Sequence, residues 1–349
     1  MAKQTEIIEK QRLLNAEGNI ACPGYAKRLL WEYDRADIKA PKIRIKEWDY
    51  YYIGNDEFGL CLTISDAGFV TSLNVSLLGF GEYPFQINDG VLDALPLGSL
   101  GMPWTSEKGD VHAKVGRADM HFLNDGTTRR LYGRLDNFGK SGSPITFDVV
   151  LSEAPEESMV IATPFHKDKH FYYNQKINCM RAEGWCLFDG VTYRFNRENK
   201  SLATLDWGRG VWTYDNTWYW GSGQVELPDG HLFGFNVGYG FGDTSAATEN
   251  MLFYDGKAHK LDEVTFHIPR SPKGEYLYME PWKFTSNDGR FEMNFTPIID
   301  RQAPVDLKVV CMIPHQVFGR MSGRAVLDDG TVVELKDATV FAERVHNKW

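Results

Sequence analysis

Asp206 and Arg209 stand three residues apart around Gly208, within the segment LDWGRGVWTYDNTWYWG (205–221). A carboxylate beside a guanidinium is held ionised, which suits binding or electrostatic stabilisation better than acid donation. The same spacing also suits a buried structural ion pair at a strand end. Trp207, Trp212, Trp218 and Trp220 crowd this segment. Such density implies either an interlocked aromatic core or a pocket with stacking faces and a few polar groups. In a strand, Trp218 and Trp220 share one face and Tyr219 takes the other. Two indoles on one face stack on a flat polyene or a sugar ring, or shield a cationic intermediate. Barrel-core packing is the competing reading.

Downstream, Phe233, Phe235, Val237, Tyr239 and Phe241 alternate with Gly234, Asn236, Gly238, Gly240 and Gly242. One face of that strand is bulky and the other is bare apart from Asn236. The bare face is expected to receive Trp218 and Trp220 or a ligand. Glu249 closes the segment as an acid or base candidate, or as a turn cap. His315 follows VVCMI (309–313) and Pro314. Histidine titrates near neutrality and suits general acid–base work, or it simply bonds a backbone carbonyl. The catalytic candidates are therefore His315, Glu249 and Asp206. The ligand-binding candidates are Arg209, Trp212, Trp218, Trp220, Asn236 and Tyr239. Asp300–Arg301 repeats the acid–guanidinium pairing and is read as structural.

His166 and His170 have HxxxH spacing in a context that is not helical. In a strand they would lie about 13 Å apart, so no metal site is expected. No GxSxG elbow and no Gly-rich phosphate loop is present, and no cofactor is expected. The five cysteines are scattered without a CxxC pair and read as reduced thiols in a cytoplasmic protein. The N-terminus lacks the apolar run of a signal peptide. No stretch reaches the roughly 18 apolar residues that a spanning helix needs. Net charge is −9 with no basic block, which disfavours nucleic acid as a partner. The expected partner is a small-molecule ligand.

These residues need a scaffold, and the chain reads as all-β. From Ile43 onward, short apolar runs are broken by turn signals such as NDG (287–289), DDG (328–330) and PDG (228–230). Asp-Gly between such runs is a hairpin signal, and many short strands indicate sandwiches or barrels. Residues 5–16 read as one short amphipathic helix. The polar stretch NRENKS (196–201) suggests a boundary near 185–200. The expected organisation is an N-terminal helix and arm (1–40), a first β domain (41–190) and a second β domain (191–349).

RIKEWDYYYI (44–53), FYYNQKINCM (171–180), LDWGRGVWTYDNTWYWG, FGFNVGYGFGDTSAATEN (233–250), FTSNDGRFEMNFTPIIDR (284–301), HQVFGRMSG (315–323) and FAERVHNKW (341–349) resemble a bacterial family of unknown function across nearly the whole chain. That family is distantly similar to two-domain lipocalin-like proteins, among them carotenoid 1,2-hydratase, AttH-like proteins and tocopherol cyclase. The resemblance implies two tandem lipocalin-like (calycin-type) antiparallel β-barrels or sandwiches. Three functional readings stand open. One is a cofactor-free hydratase, isomerase or cyclase acting on an isoprenoid, polyene or lipid-like molecule. The second is a non-catalytic binder of such a molecule. The third is a carbohydrate-active enzyme with Asp206 and Glu249 as paired carboxylates and tryptophans as sugar platforms.

Overall fold

The computed structural model describes residues 4–302, 305–306 and 311–348. Val309 and Val310, in the apolar run before His315, lie outside the described residues. Among the described residues the strands form a thirteen-stranded sheet, a ten-stranded sheet and a two-stranded ribbon. One large sheet is nearly closed like a barrel and the other is a half-barrel. The chain is thus all-β, as the turn spacing implied. No helix among the described residues is long and apolar enough to cross a membrane.

Both large sheets follow one plan. In the first, Ile45–Gly54, Phe58–Asp66, Val70–Gly79 and Phe85–Ala94 form a meander. A second meander runs from Val111–Val115 through Ala118–Asn124, Arg129–Leu135, Ile145–Ser152 and Phe171–Phe188 to Leu202–Val211. That last strand pairs with the first, Ile45–Gly54. In the second sheet, Asp215–Glu226, Leu232–Tyr239, Met251–Tyr254 and Lys257–Lys260 form the first run. Val264–His267, Trp282–Ser286, Phe291–Arg301, Cys311–Val326 and Val332–Lys348 form the other. Again the last strand pairs with the first. Each unit is an up-and-down meander closed first-to-last and open after its fourth strand.

Two expectations need correction. Residues 5–16 form no helix. Gln11–Arg12 is a short parallel strand beside Trp31–Glu32, and Ile7, Leu13 and Leu14 are buried against the first core. The apolar residues do pack inward, but backbone bonds from Ile7 to Tyr25 and from Leu13 to Glu32 hold the arm extended. Pairing overrides helix propensity here. The divide near 190 also falls inside the first sheet. Val191–Phe195 and Leu202–Val211 both pair with Phe171–Phe188, and NRENKS is a turn between them. The chain enters the second sheet only between Val211 and Asp215.

Apolar side chains collect in a core within each unit, with two further clusters where the sheets meet. Trp48 and Trp218 touch both interface clusters. Phe171–Phe188 carries much of this contact. A bulge between Ile177 and Met180 places Cys179 in the left-handed region at φ 66°. The neighbouring Asn178 Nδ2 reaches Ser222 Oγ at 2.8 Å and the carbonyls of Gly223 and Phe235 at 3.3 Å, clasping one sheet to the other.

Candidate functional site

Strand alternation builds a polar seam between the two sheets. On Leu202–Val211, Ala203, Leu205, Trp207 and Val211 point into the first core, so Asp206 faces the second sheet. On Phe171–Phe188, Phe171 and Tyr173 point inward, so Tyr172, Asn174 and Lys176 join Asp206. Gly208 is bare because the Trp48 ring lies over it; a Cβ there would sit 1.9 Å from the ring. Opposite them stand Trp218 and Trp220 of Asp215–Glu226, Asn236 of Leu232–Tyr239, Gln316 of Cys311–Val326 and Glu343 of Val332–Lys348. Gly238 has the same use as Gly208, because a Cβ there would meet the Glu249 carboxylate at 2.6 Å.

Lys176 Nζ lies 2.9 Å from Asp206 Oδ1 and 3.8 Å from the centroid of the Trp220 ring. Asn174 Nδ2 donates to the same Asp206 oxygen at 2.6 Å. The Trp220 indole donates to Asn236 Oδ1 at 2.7 Å, and Asn236 Nδ2 donates to the Glu249 carbonyl at 2.8 Å. Glu343 accepts from Trp218 Nε1 at 2.9 Å and from Gln316 Nε2 at 3.0 Å. Gln316 in turn accepts from Arg301 Nη1 at 2.8 Å. Asp206, Glu249 and Glu343 are each only 7% exposed.

Three buried carboxyl groups thus feel the Lys176 ammonium, Glu249 also feels Lys260, and Arg301 lies one residue further out. Burial pushes the Glu343 carboxyl up to about 7, against the Trp218 hydrogen bond and the Lys176 charge, with Asp206 adding to the rise. Burial also raises Glu249, with Lys176 and Asn236 opposing and Asp206 adding. Glu249 and Glu343 therefore both feel Lys176 and Asp206, and the set is one electrostatic unit. Tyr172 is driven well above its ordinary value by burial and then by the charges of Glu249, Asp206 and Glu343. Near neutrality Glu343 has a proton to give, and the indoles form a low-dielectric wall beside it.

The profile of the family described as domain of unknown function DUF2804 matches residues 4–349. The chain belongs to this family. The match spans every segment that carried the resemblance in the sequence. Among solved structures, this DUF2804 chain is similar to kievitone hydratase from Nectria haematococca, with TM-score 0.53 at 12% identity over 98% of each chain. It is also similar to a protein assigned as an AttH from Nitrosomonas europaea, with TM-score 0.49 at 14% identity over 90% of this chain and 95% of that one. At that identity the hydratase likeness shows a common fold. No curated protein matches the chain.

The structure gathers some of the sequence-predicted residues of this DUF2804 chain and scatters others. Asp206, Glu249, Trp218, Trp220 and Asn236 lie in the seam. Trp212 sits at its rim, edge-on to Trp48 at 5.2 Å and to Trp218 at 5.9 Å. Arg209 does not pair with Asp206. Three residues on, it points the other way into the first unit, where it is fully buried, 3.1 Å from Asp49 and 3.9 Å from Glu47. His315 and Tyr239 lie on the far face of the second sheet. The bare glycine face receives Cys179 at Gly234 and the Glu249 carboxylate at Gly238 in place of tryptophan rings; of the two expected indoles only Trp220 reaches it, by its hydrogen bond to Asn236. Reading the sequence missed Lys176, Asn174, Gln316 and Glu343. A lone lysine in FYYNQKINCM and a lone glutamate in TVFAERV were the available signals.

One other cluster of described residues fits a metal by its donor spacing. His112, Asp119 and His121 hold donor atoms within 4.8 Å of one another on an exposed hairpin. Lys114 competes for Asp119 at 3.5 Å. His166 and His170 lie in a turn outside it. A cleft of about 480 Å³ lies beside Arg12 and Asp37, and one of about 330 Å³ lies beside Lys260 and Asp288, where the Lys260 ammonium bonds Thr248 and Asn250 on either side of Glu249.

Proposed function

We propose that this chain acts on an unsaturated, hydrophobic small molecule by acid catalysis at the seam, as a cofactor-free hydratase or isomerase. Glu343 carries the reading. It is a buried carboxyl poised near neutrality, aimed among indoles and coupled to a Lys176–Asp206 pair. In the proposed hydration, Glu343 delivers its proton to one carbon of a double bond, leaving a cationic centre on the other. Trp218, and Tyr50 of Ile45–Gly54, whose ring lies T-shaped to Trp220 at 6.0 Å, present aromatic surface to shield that centre. Water adds to it and its surplus proton passes to Asp206, completing addition across the bond. Isomerisation uses the same protonation followed by proton loss from a neighbouring carbon. Entry of a ligand requires the half-buried Trp48 and Trp218 to turn aside, which also admits the water. The fold shared with a hydratase supports the reading as analogy.

The non-catalytic binding reading uses the same residues without proton transfer. Native mass spectrometry of the protein purified from its own host separates the two. A substrate and product pair differing by one water, or an isomer pair, supports catalysis. A single unaltered ligand, or turnover unchanged in Glu343→Gln, would overturn catalysis by Glu343. The carbohydrate reading has less support, because it needs carboxylates across an open groove and those of the seam are buried.

A further inference from the structure

The far face of the second sheet holds a separate charged aromatic cluster that the acid chemistry does not use. In register across four strands lie Tyr239, Tyr219, Arg344 and His315. Tyr219 and Tyr239 stack at 4.5 Å with their planes 14° apart. The segment between Val264–His267 and Trp282–Ser286 folds over them and turns Tyr276 and Tyr278 inward, while Leu277 and Met279 face solvent. Arg344 Nε donates to Tyr219 Oη at 3.2 Å and Nη1 to Tyr278 Oη at 3.4 Å. Its guanidinium lies 4.6 Å from the Tyr276 ring centroid. Arg270, on the same covering segment, stacks on Tyr276 at 4.1 Å and donates to its hydroxyl. Tyr219 and Tyr276 hydroxyls meet at 2.9 Å.

The balance of charge is unusual for a chain of net charge −9. Two guanidinium groups converge on phenols, and among the described residues neither has an acidic side chain within ion-pair distance. The carboxylate beside His315, Asp300, is taken by His315 Nδ1 at 2.7 Å and Gln302 Nε2 at 2.6 Å. A half-buried guanidinium bonded only to neutral oxygens is under-compensated, and a carboxylate offers it two parallel, stronger bonds. The ring walls select a flat partner. Burial alone would raise the Tyr276 phenol, yet the Tyr219 hydrogen bond and the charges of Arg344 and Arg270 bring it below its ordinary value.

We infer that this mouth of the second β unit is a binding site for a small planar aromatic or conjugated carboxylate. The carboxylate takes the place of the Tyr276 hydroxyl between Arg344 and Arg270, and the ring stacks on one face of the tyrosine cluster. The inference is independent of the acid chemistry at the seam.

Titration calorimetry of the full chain with trans-cinnamate, and with cinnamyl alcohol as its uncharged analogue, tests it. Saturable binding of cinnamate is expected, with the alcohol about tenfold weaker or worse, the cost of one charge-assisted hydrogen bond. Arg270 is exposed, so Arg270→Ala should fold normally and weaken cinnamate about tenfold. Arg344→Gln should weaken it at least as much. Glu343→Gln should leave cinnamate affinity unchanged. Equal affinity for acid and alcohol, no response to Arg270→Ala, or loss of binding in Glu343→Gln would each overturn the site.

Discussion

Two rows of side chains run across the same strands of the second sheet and face opposite ways. One row, Gly238, Trp220, Glu343, Gln316 and Arg301, looks onto the first sheet. The adjacent row, Tyr239, Tyr219, Arg344 and His315, looks into the second unit's own mouth. The first row is buried against another sheet, so its carboxyl loses solvent and is raised. The second row is half-exposed, so its guanidinium keeps its charge and settles among phenols. Identical backbone registry thus yields an acid on one face and a cation on the other. The difference comes from what covers each face, since a slip of one residue would exchange them.

The comparison breaks most sharply at Lys176. Lys176→Met leaves buried carboxyl groups without their ammonium and should cost about 3–5 kcal/mol in urea unfolding. Adding Asp206→Asn should restore a good part of that loss. If the single variant is as stable as the parent, the seam is not one electrostatic unit. Glu343→Gln should come next. The folded-state pKa of Glu343 is raised to about 7, so the folded protein holds a proton the unfolded chain has released. Stability is then fully present below the unfolded pKa and declines as pH rises towards 7, by on the order of 2–3 kcal/mol. Thermal melts from pH 4.5 to 8 should show that decline shrink in the variant, and turnover should fall by at least about 100-fold.

Trp218→Phe keeps the ring and deletes one N–H donor to Glu343. It should cost about 1–2 kcal/mol and move the basic limb of the pH–rate profile upward, because that bond favours the carboxylate. A profile that stays in place would show that Trp218 acts by packing alone. The smallest effect is expected on the other row. Tyr219→Phe removes a half-exposed hydroxyl and should cost less than about 1 kcal/mol. A loss as large as that of Lys176→Met would mean that the mouth, not the seam, holds the sheets together.

Much of this arrangement was legible beforehand. The Asp-Gly turns predicted an all-β chain, and the period-two rule put Trp218 and Trp220 on one face with Tyr219 on the other. It also picked out the bare strand bearing Asn236. The same rule, applied to Asp206 and Arg209, would have separated them, because an odd spacing on a strand sends side chains to opposite faces. Gly208 lies within one continuous strand and makes room for Trp48. His315 was chosen for its intrinsic pKa, while its neighbour Gln316 holds the acid. No local signal separates those two positions.

From Ile43 onward the sequence by itself determined the β character, many of the turns and the shared face of Trp218 and Trp220, because these follow from backbone sterics and a repeat of two. It also placed the chain in its family. Only the tertiary structure decided which face of each strand would be covered, and by what. Pairing of Leu202–Val211 with Ile45–Gly54 drew Asp206 into the first unit's sheet, so the site is shared between the two units. Burial between sheets raised Glu343, a residue with no local mark of acid chemistry. Desolvation depends on neighbours more than a hundred positions away, and no window of sequence contains them.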